Sequence, residues 1–238
     1  MNLTKTIEEE YANIEETVIQ LKKLPHYSDE IITYFEKWET ETAIKLQEIF
    51  RSISRYHQEE ILPRTYSHFE NISEELSYKA EDITHFCFAL ENKEYLPFFE
   101  FTGVFISTLI SKLQKKESKE KSEEQNKIDN QNKIDNKKVK NNENDTEYFL
   151  VTKHLTKKMD ALGCANSGRI KIIGDCRDKA GFFMQSGTLC IEGNVNNDLG
   201  AYMQGGDIFV TGKSGSDIGN YMKKGNIYVT GNCKRGIL

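Results

Sequence analysis

The hydrophobic rhythm of this 238-residue chain changes about two thirds of the way along. Ile7, Tyr11, Ile14, Val18 and Leu21 are spaced four, three, four and three apart, which lines them along one face of a helix ending before Pro25. Ser28 or Asp29 can cap a second helix, in which Ile32, Phe35, Trp38, Leu46, Ile49 and Ile53 recur at helical spacings to about Glu60. Beyond Pro63, the run Phe69, Ile72, Leu76, Ala80, Ile83, Phe86 and Leu90 predicts a third. Pro97 would open a fourth, with Phe98, Phe101, Phe105 and Leu109 facing inward. Short connections between four helices predict an N-terminal α-helical bundle over residues 1–113.

From residue 148 the period is two. RIKII, TLCIE, DIFVT and NIYVT alternate, so that Ile170/Ile172, Leu189/Ile191, Ile208/Val210 and Ile227/Val229 point one way and their neighbours the other, as in strands. A longer period is laid over the short one. Gly168, Gly187, Gly206 and Gly225 are 19 residues apart, as are Gly174, Gly193, Gly212 and Gly231, and Gly181, Gly200 and Gly219. Met184, Met203 and Met222 keep the same step, and so do Ala180, Leu199, Ile218 and Ile237. In the first copy Leu162 and Ala165 stand in the Gly181 and Met184 columns. Columns in register over three to four copies are the signature of a solenoid. One short strand per repeat and no helical stretch predict stacked coils, parallel strands roughly 4.8 Å apart, and glycines at corners where a Cβ would clash. About three and a half coils of parallel β-helix are expected over 148–238; the period leaves the hand open.

Between the halves, residues 114–147 hold three apolar residues, Ile128, Ile134 and Val139, and repeat QNKIDN in tandem at 125–130 and 131–136. Such a stretch buries too little to offset its ordering entropy, and a disordered linker is expected. Charge follows the same partition: net −10 over 1–113, zero over 114–147 and +5 over 148–238. The linker's balanced charge argues against a basic arm for nucleic acid. The most apolar run, Phe98–Ser111, is interrupted by Glu100 and Gly103 and is shorter than the roughly 20 residues a membrane-spanning helix needs. No charged-then-apolar leader follows Met1, and five cysteines without a CxxC pair read as reduced thiols, so a cytoplasmic protein without membrane or nucleic-acid partners is expected.

Candidate chemistry is sparse. Recurring glycines with no following helix do not make a phosphate loop, which occurs once between a strand and a helix. Glu8/Glu9, Glu15/Glu16 and Glu59/Glu60 could serve a carboxylate bundle only with Glu-x-x-His at facing positions. His57, His68 and His85 lack that Glu, although Glu81 lies four before His85. Cys176 and Cys233 share a column but sit three coils apart, roughly 14 Å by strand spacing, too far for a disulfide or a shared metal. Cys190, Phe209 and Tyr228 form an outward column that is either a docking face or covered by Phe149, Leu150 or the helical half. The stretch 85–105 holds six Phe and one Tyr, either core or a docking patch. No catalytic, cofactor-binding or metal-binding residue is assigned, and no cofactor is expected.

The repeat G-x-x-M-x-x-G-x-I-x-V-x-G with its following G-x(6)-G, over about Gly163–Leu238, resembles the glycine-rich repeats in the C subunit of formylmethanofuran dehydrogenase. It is also similar to the related C-terminal domain of the glutamate synthase large subunit. The resemblance implies a right-handed parallel β-helix that packs against catalytic subunits and carries no catalytic residues. It therefore implies a scaffold docked to oxidoreductase subunits, or a chain that self-associates through its coil ends. A free-standing interaction module, with the helical half binding the partner, is the remaining reading.

Overall fold

The structure, a computed structural model, describes residues 61–72, 76, 78–94, 99–131 and 146–236. The first two expected helices and residues 132–145 of the expected linker lie outside them.

Residues 146–236 form a parallel β-solenoid of about four coils. Its main sheet contains β1 (Glu147–Val151), β2 (Arg169–Ile173), β3 (Thr188–Glu192), β4 (Asp207–Val210) and β6 (Asn226–Val229), in that order and all parallel. From β2 onward the register steps by 19: Arg169, Thr188, Asp207 and Asn226 are successive partners. A second side consists of β5 (Ser214–Ile218) paired with β7 (Cys233–Gly236), extended backward by single bridges from Ser214 to Val195 and Cys176. The 19-residue period therefore has a direct physical meaning: it is the length of chain needed to return to the same place one strand spacing higher.

Side chains at equivalent positions stack into inward ladders. Tyr148, Ile170, Leu189, Ile208 and Ile227 form one, and Leu150, Ile172, Ile191, Val210 and Val229 another. Each fully buried aliphatic side chain contributes about 1.5–3 kcal/mol relative to exposure. Polar ladders tie the coils together outside. Asp175 Oδ1 accepts from Asn194 N (2.8 Å), and Asn194 Oδ1 accepts from Lys213 N (2.9 Å). Asp178, Asn197 and Ser216 repeat the arrangement, each bond at 3.0 Å.

One corner is built from backbone at positive φ. Lys179, Gly181 and Phe183 alternate there with ordinary residues, and the next coils repeat the pattern at Asp198, Gly200 and Tyr202, then Asp217, Gly219 and Tyr221. In the first coil the matching residues are Ala161, Gly163 and Ala165, so the step at this corner is 18. The bonds agree: Gly181 N donates to Leu162 O where Gly200 N donates to Ala180 O. Leu162 consequently belongs to the inward Ala180/Leu199/Ile218 ladder, and Asn166 takes the place of the methionine. The 19-residue alignment of Leu162 with Gly181, and of Ala165 with Met184, is corrected accordingly.

The expected third helix is two: α1 (Ile61–Ile72) and α2 (Ala80–Ala89), the latter begun by Asp82 accepting from Lys79 N at 2.8 Å. Pro63 falls in the first turn of α1, where its missing N–H costs nothing. After short 3₁₀ turns at Leu90–Lys93 and Phe99–Phe101, α3 runs from Thr102 to Gln131. The expected start at Pro97 moves to Thr102. The boundary expected at 113 falls inside α3, so residues 114–131 are helix and not linker. A neighbour explains why: Gln114 is buried against the first coil.

Helices and solenoid share one core. Phe105 packs against Phe69 (ring centroids 5.5 Å) and Phe86 (5.8 Å), and this cluster runs on into Leu150, Leu162 and Ile170. Of the described phenylalanines in the Phe-rich stretch, Phe86, Phe99 and Phe105 are fully buried in the core, while Phe88 and Phe101 are half-buried.

Candidate functional site

The two ends of the solenoid differ. At the first coil, side chains of the helices satisfy backbone groups that a preceding coil would otherwise pair. Thr84 Oγ1 donates to Phe149 O (2.7 Å). Gly163 N donates to Ser107 Oγ (2.9 Å), which lies 3.1 Å from Ala161 O. Further along α3, Gln114 Nε2 donates to Asn166 Oδ1 (2.7 Å) while its Oε1 accepts from Ser167 N (3.1 Å). Asn166 in turn holds Gly168 N and O at 3.1 and 3.0 Å. Gly103, the one glycine before residue 163, lets α3 approach: a Cβ there would sit 2.0 Å from Asp160 O. On the other flank, His154 stacks on Phe88 and donates from Nε2 to Cys87 O at 3.1 Å. Glu94 accepts from Thr156 N (3.1 Å) and Lys157 N (2.6 Å). Burial acts to raise the Glu94 carboxyl, but the bonds from Thr156 and Lys157, with His154 nearby, hold it below the usual carboxylate range.

The far end has no such cover among the described residues. Leu199, Met203, Ile208 and Val210 are fully buried, whereas their successors Ile218, Met222, Ile227 and Val229 are only half-buried. Two stacked aromatic columns terminate here. Phe209 lies on Tyr228 with centroids 4.9 Å apart and planes 9° off parallel. Phe183, Tyr202 and Tyr221 form the other, stacked at 5.4 and 4.9 Å. Tyr221 is 67% exposed, Tyr228 49% and Phe209 41%. Exposed Lys213, Lys223 and Lys224 have no ion-pair partner among the described residues. In the earlier coils Lys158 reaches Asp175 at 2.7 Å and Lys171 reaches Glu192 at 2.9 Å. An edge strand, half-exposed ladders, two aromatic stacks and unpaired lysines together make a surface suited to docking.

No known protein family, curated protein or solved structure matches this chain. The surface must be read from its own geometry.

The outward column of Cys190, Phe209 and Tyr228 is confirmed as a column; Phe149 and Lys171 precede Cys190 within it, and it is uncovered at Phe209 and Tyr228. The Phe183/Tyr202/Tyr221 column keeps the same 19-residue step, between the Gly181/Gly200/Gly219 and Met184/Met203/Met222 columns, but it sits at a corner, where strand alternation does not say which way a side chain points. Cys176 and Cys233 do share a column, separated by Val195 and Ser214. Among the described residues no group of three or more His, Cys, Asp or Glu is placed to hold a metal ion. Glu81 lies in the exposed first turn of α2 and His85 is half-buried one turn on. The paired glutamates at 8/9, 15/16 and 59/60, and His57, lie outside the described residues. Among the described residues no helix is long and apolar enough to cross a membrane.

Proposed function

We propose that this chain is a cytoplasmic assembly protein related to the C subunit of formylmethanofuran dehydrogenase, with a right-handed β-helix and a helical bundle at its N-terminal end. Its role is non-catalytic: the β-helix docks to the catalytic subunits of an oxidoreductase complex. One observation carries this reading. The same ladders that are sealed by helices at the first coil are half-exposed at the last, with aromatic stacks and lysines around them. Half-exposed ladders and an edge strand of this kind are suited to burial against a further protein surface.

The test is purification of the tagged full chain from the cells that make it, with Tyr221→Glu/Tyr228→Glu as the comparison. The expected result is a stoichiometric oxidoreductase subunit that accompanies the wild-type chain and is lost from the variant. Formyl-transfer or molybdopterin subunits point to the first branch of the resemblance; glutamine amidotransferase or flavin subunits point to the glutamate synthase branch. Recovery of no oxidoreductase subunit overturns both branches and leaves a free-standing interaction module. The chain alone is expected to show no turnover and no chromophore.

A further inference from the structure

The corner at positive φ places Lys179, Asp198 and Asp217 in one column, with φ of 64°, 59° and 61°. Backbone bonds keep the three in step: Lys179 N donates to Asn197 O at 2.9 Å, and Asp198 N to Ser216 O at 3.0 Å. Side chains that leave matching backbone in successive coils lie about one strand spacing apart, roughly 4.8 Å. Charge along the column alternates once, from Lys179 to Asp198, and then stays negative at Asp217. Both aspartates are half-buried, and neither forms an ion pair among the described residues. A third carboxylate, Asp178, lies beside the column but is occupied, accepting from Asn197 N at 3.0 Å and Asn197 Nδ2 at 3.4 Å. The backbone does not demand the two negative charges. Asn enters the left-handed region as readily as Asp and would bring none.

We propose that the Asp198–Asp217 pair is a pH-sensitive device that sets how firmly the last coil is held. With both carboxyls ionised, like charges on adjacent coils oppose stacking; one proton taken up by the pair removes the opposition. The charged groups that face Asp198 are Lys179, Asp217 and Asp178. Burial is the largest influence and raises the Asp198 carboxyl above its usual value of 3.8; Lys179 acts against the rise, and Asp217 and Asp178 add to it. A folded value above the unfolded one contributes stability that is fully present below 3.8 and is lost as pH rises through the folded value. Mild acid therefore tightens this corner. Asp175 and Glu94, whose carboxyls are held below the usual range, keep their charge and their bonds over the same window. The coil affected is the one whose Ile218, Met222, Ile227 and Val229 are half-buried, so its hold on the coil before it is the weakest to begin with.

The experiment measures amide protection in the full chain between about pH 7 and pH 4, with every rate corrected for intrinsic exchange. Protection of the 217–222 corner and of β6 is expected to rise roughly threefold on acidification, the size of a like-charged pair facing across two strands. High salt at pH 7 should act in the same direction, since it screens the same repulsion. Asp217→Asn keeps the attraction between Lys179 and Asp198 and removes the repulsion. It should show the threefold gain already at pH 7 and a flat profile below it. Asp217→Lys extends the alternation, at a corner where Lys179 already shows that lysine is accepted, and should protect the last coil at least as well. A wild-type last coil whose protection does not rise in acid would overturn the proposal. So would an equal rise in Asp217→Asn, which would assign the effect to another group, or a loss of protection in either variant, which would make the Asp217 carboxylate a needed contact.

Discussion

At Gly212 a Cβ would lie 2.3 Å from the carbonyl oxygen of Gly193 in the coil below, and backbone cannot step aside as a side chain can. At Gly219 the nearest atom would be Met222 Sδ at 3.5 Å, ordinary contact, and only the φ of +67° favours glycine. These two glycines therefore resist substitution for different reasons. Gly212→Ala must push one coil away from the next and is expected to cost about 3 kcal/mol, the upper end of overpacking. Gly219→Ala incurs only the left-handed backbone strain of about 1–2 kcal/mol. Chemical denaturation of both variants checks the ordering, and equal losses would contradict it. The cysteines give a second prediction at this scale. Burial pushes the thiols of Cys87, Cys164 and Cys176 from near 9 up to about 12. A folded value above the unfolded one contributes stability that is fully present below pH 9 and is lost as pH rises toward 12. Alkaline unfolding is expected in that window. At pH 8 an alkylating reagent should label exposed Cys233 in the native protein and reach the three buried thiols only on unfolding.

The strands after residue 168 were legible because identical spacing forces identical surroundings; the first coil was not. β1 lies 22 residues before β2 in the register, since Glu147 pairs with Arg169, and Thr152 stands where the glycine columns would begin. No period could announce it. The corner at Ala161, Gly163 and Ala165 is one residue out of step for the same reason: this coil meets helices on one side instead of another coil. Asn166 replaces a methionine there because Gln114 reaches it. That contact also explains why charged sequence from 114 is helical to Gln131: its first turn is fastened, an effect composition does not carry. Gln114→Leu is therefore a test of the capping element. It removes one of the two donors to Asn166 Oδ1, which keeps Gly168 N, takes the acceptor from Ser167 N, and should cost about 1–2 kcal/mol. The loss should be read by thermal unfolding; an unchanged midpoint would mean that α3 does not secure the first coil.

A solenoid's stability is a chain of nearest-neighbour terms, so its two ends need not be equally firm. Here β2 and β3 have strands on both sides and ladder residues no more than 2% exposed at Ile170, Ile172, Leu189 and Ile191. Among the described residues β1 has one strand beside it, but α2 packs against it and Thr84 bonds its backbone. Among them too, β6 has β4 alone, and its own Ile227 and Val229 are half-exposed. Local opening should follow that inequality, because the residues freed at β6 bury the least apolar surface. Amide exchange in the isolated protein is therefore expected to be slowest in β2 and β3, intermediate in β1 and β4, and fastest in β6 and β7. Gln114→Leu should speed exchange in β1 and the 160–168 corner while leaving β6 as it was, since each coil feels its neighbours first. A docked partner should do the reverse, slowing β6 and sparing β1. If β6 of the isolated chain exchanged as slowly as β3, its edge would already be closed, and the docking surface would have to be sought elsewhere on the molecule.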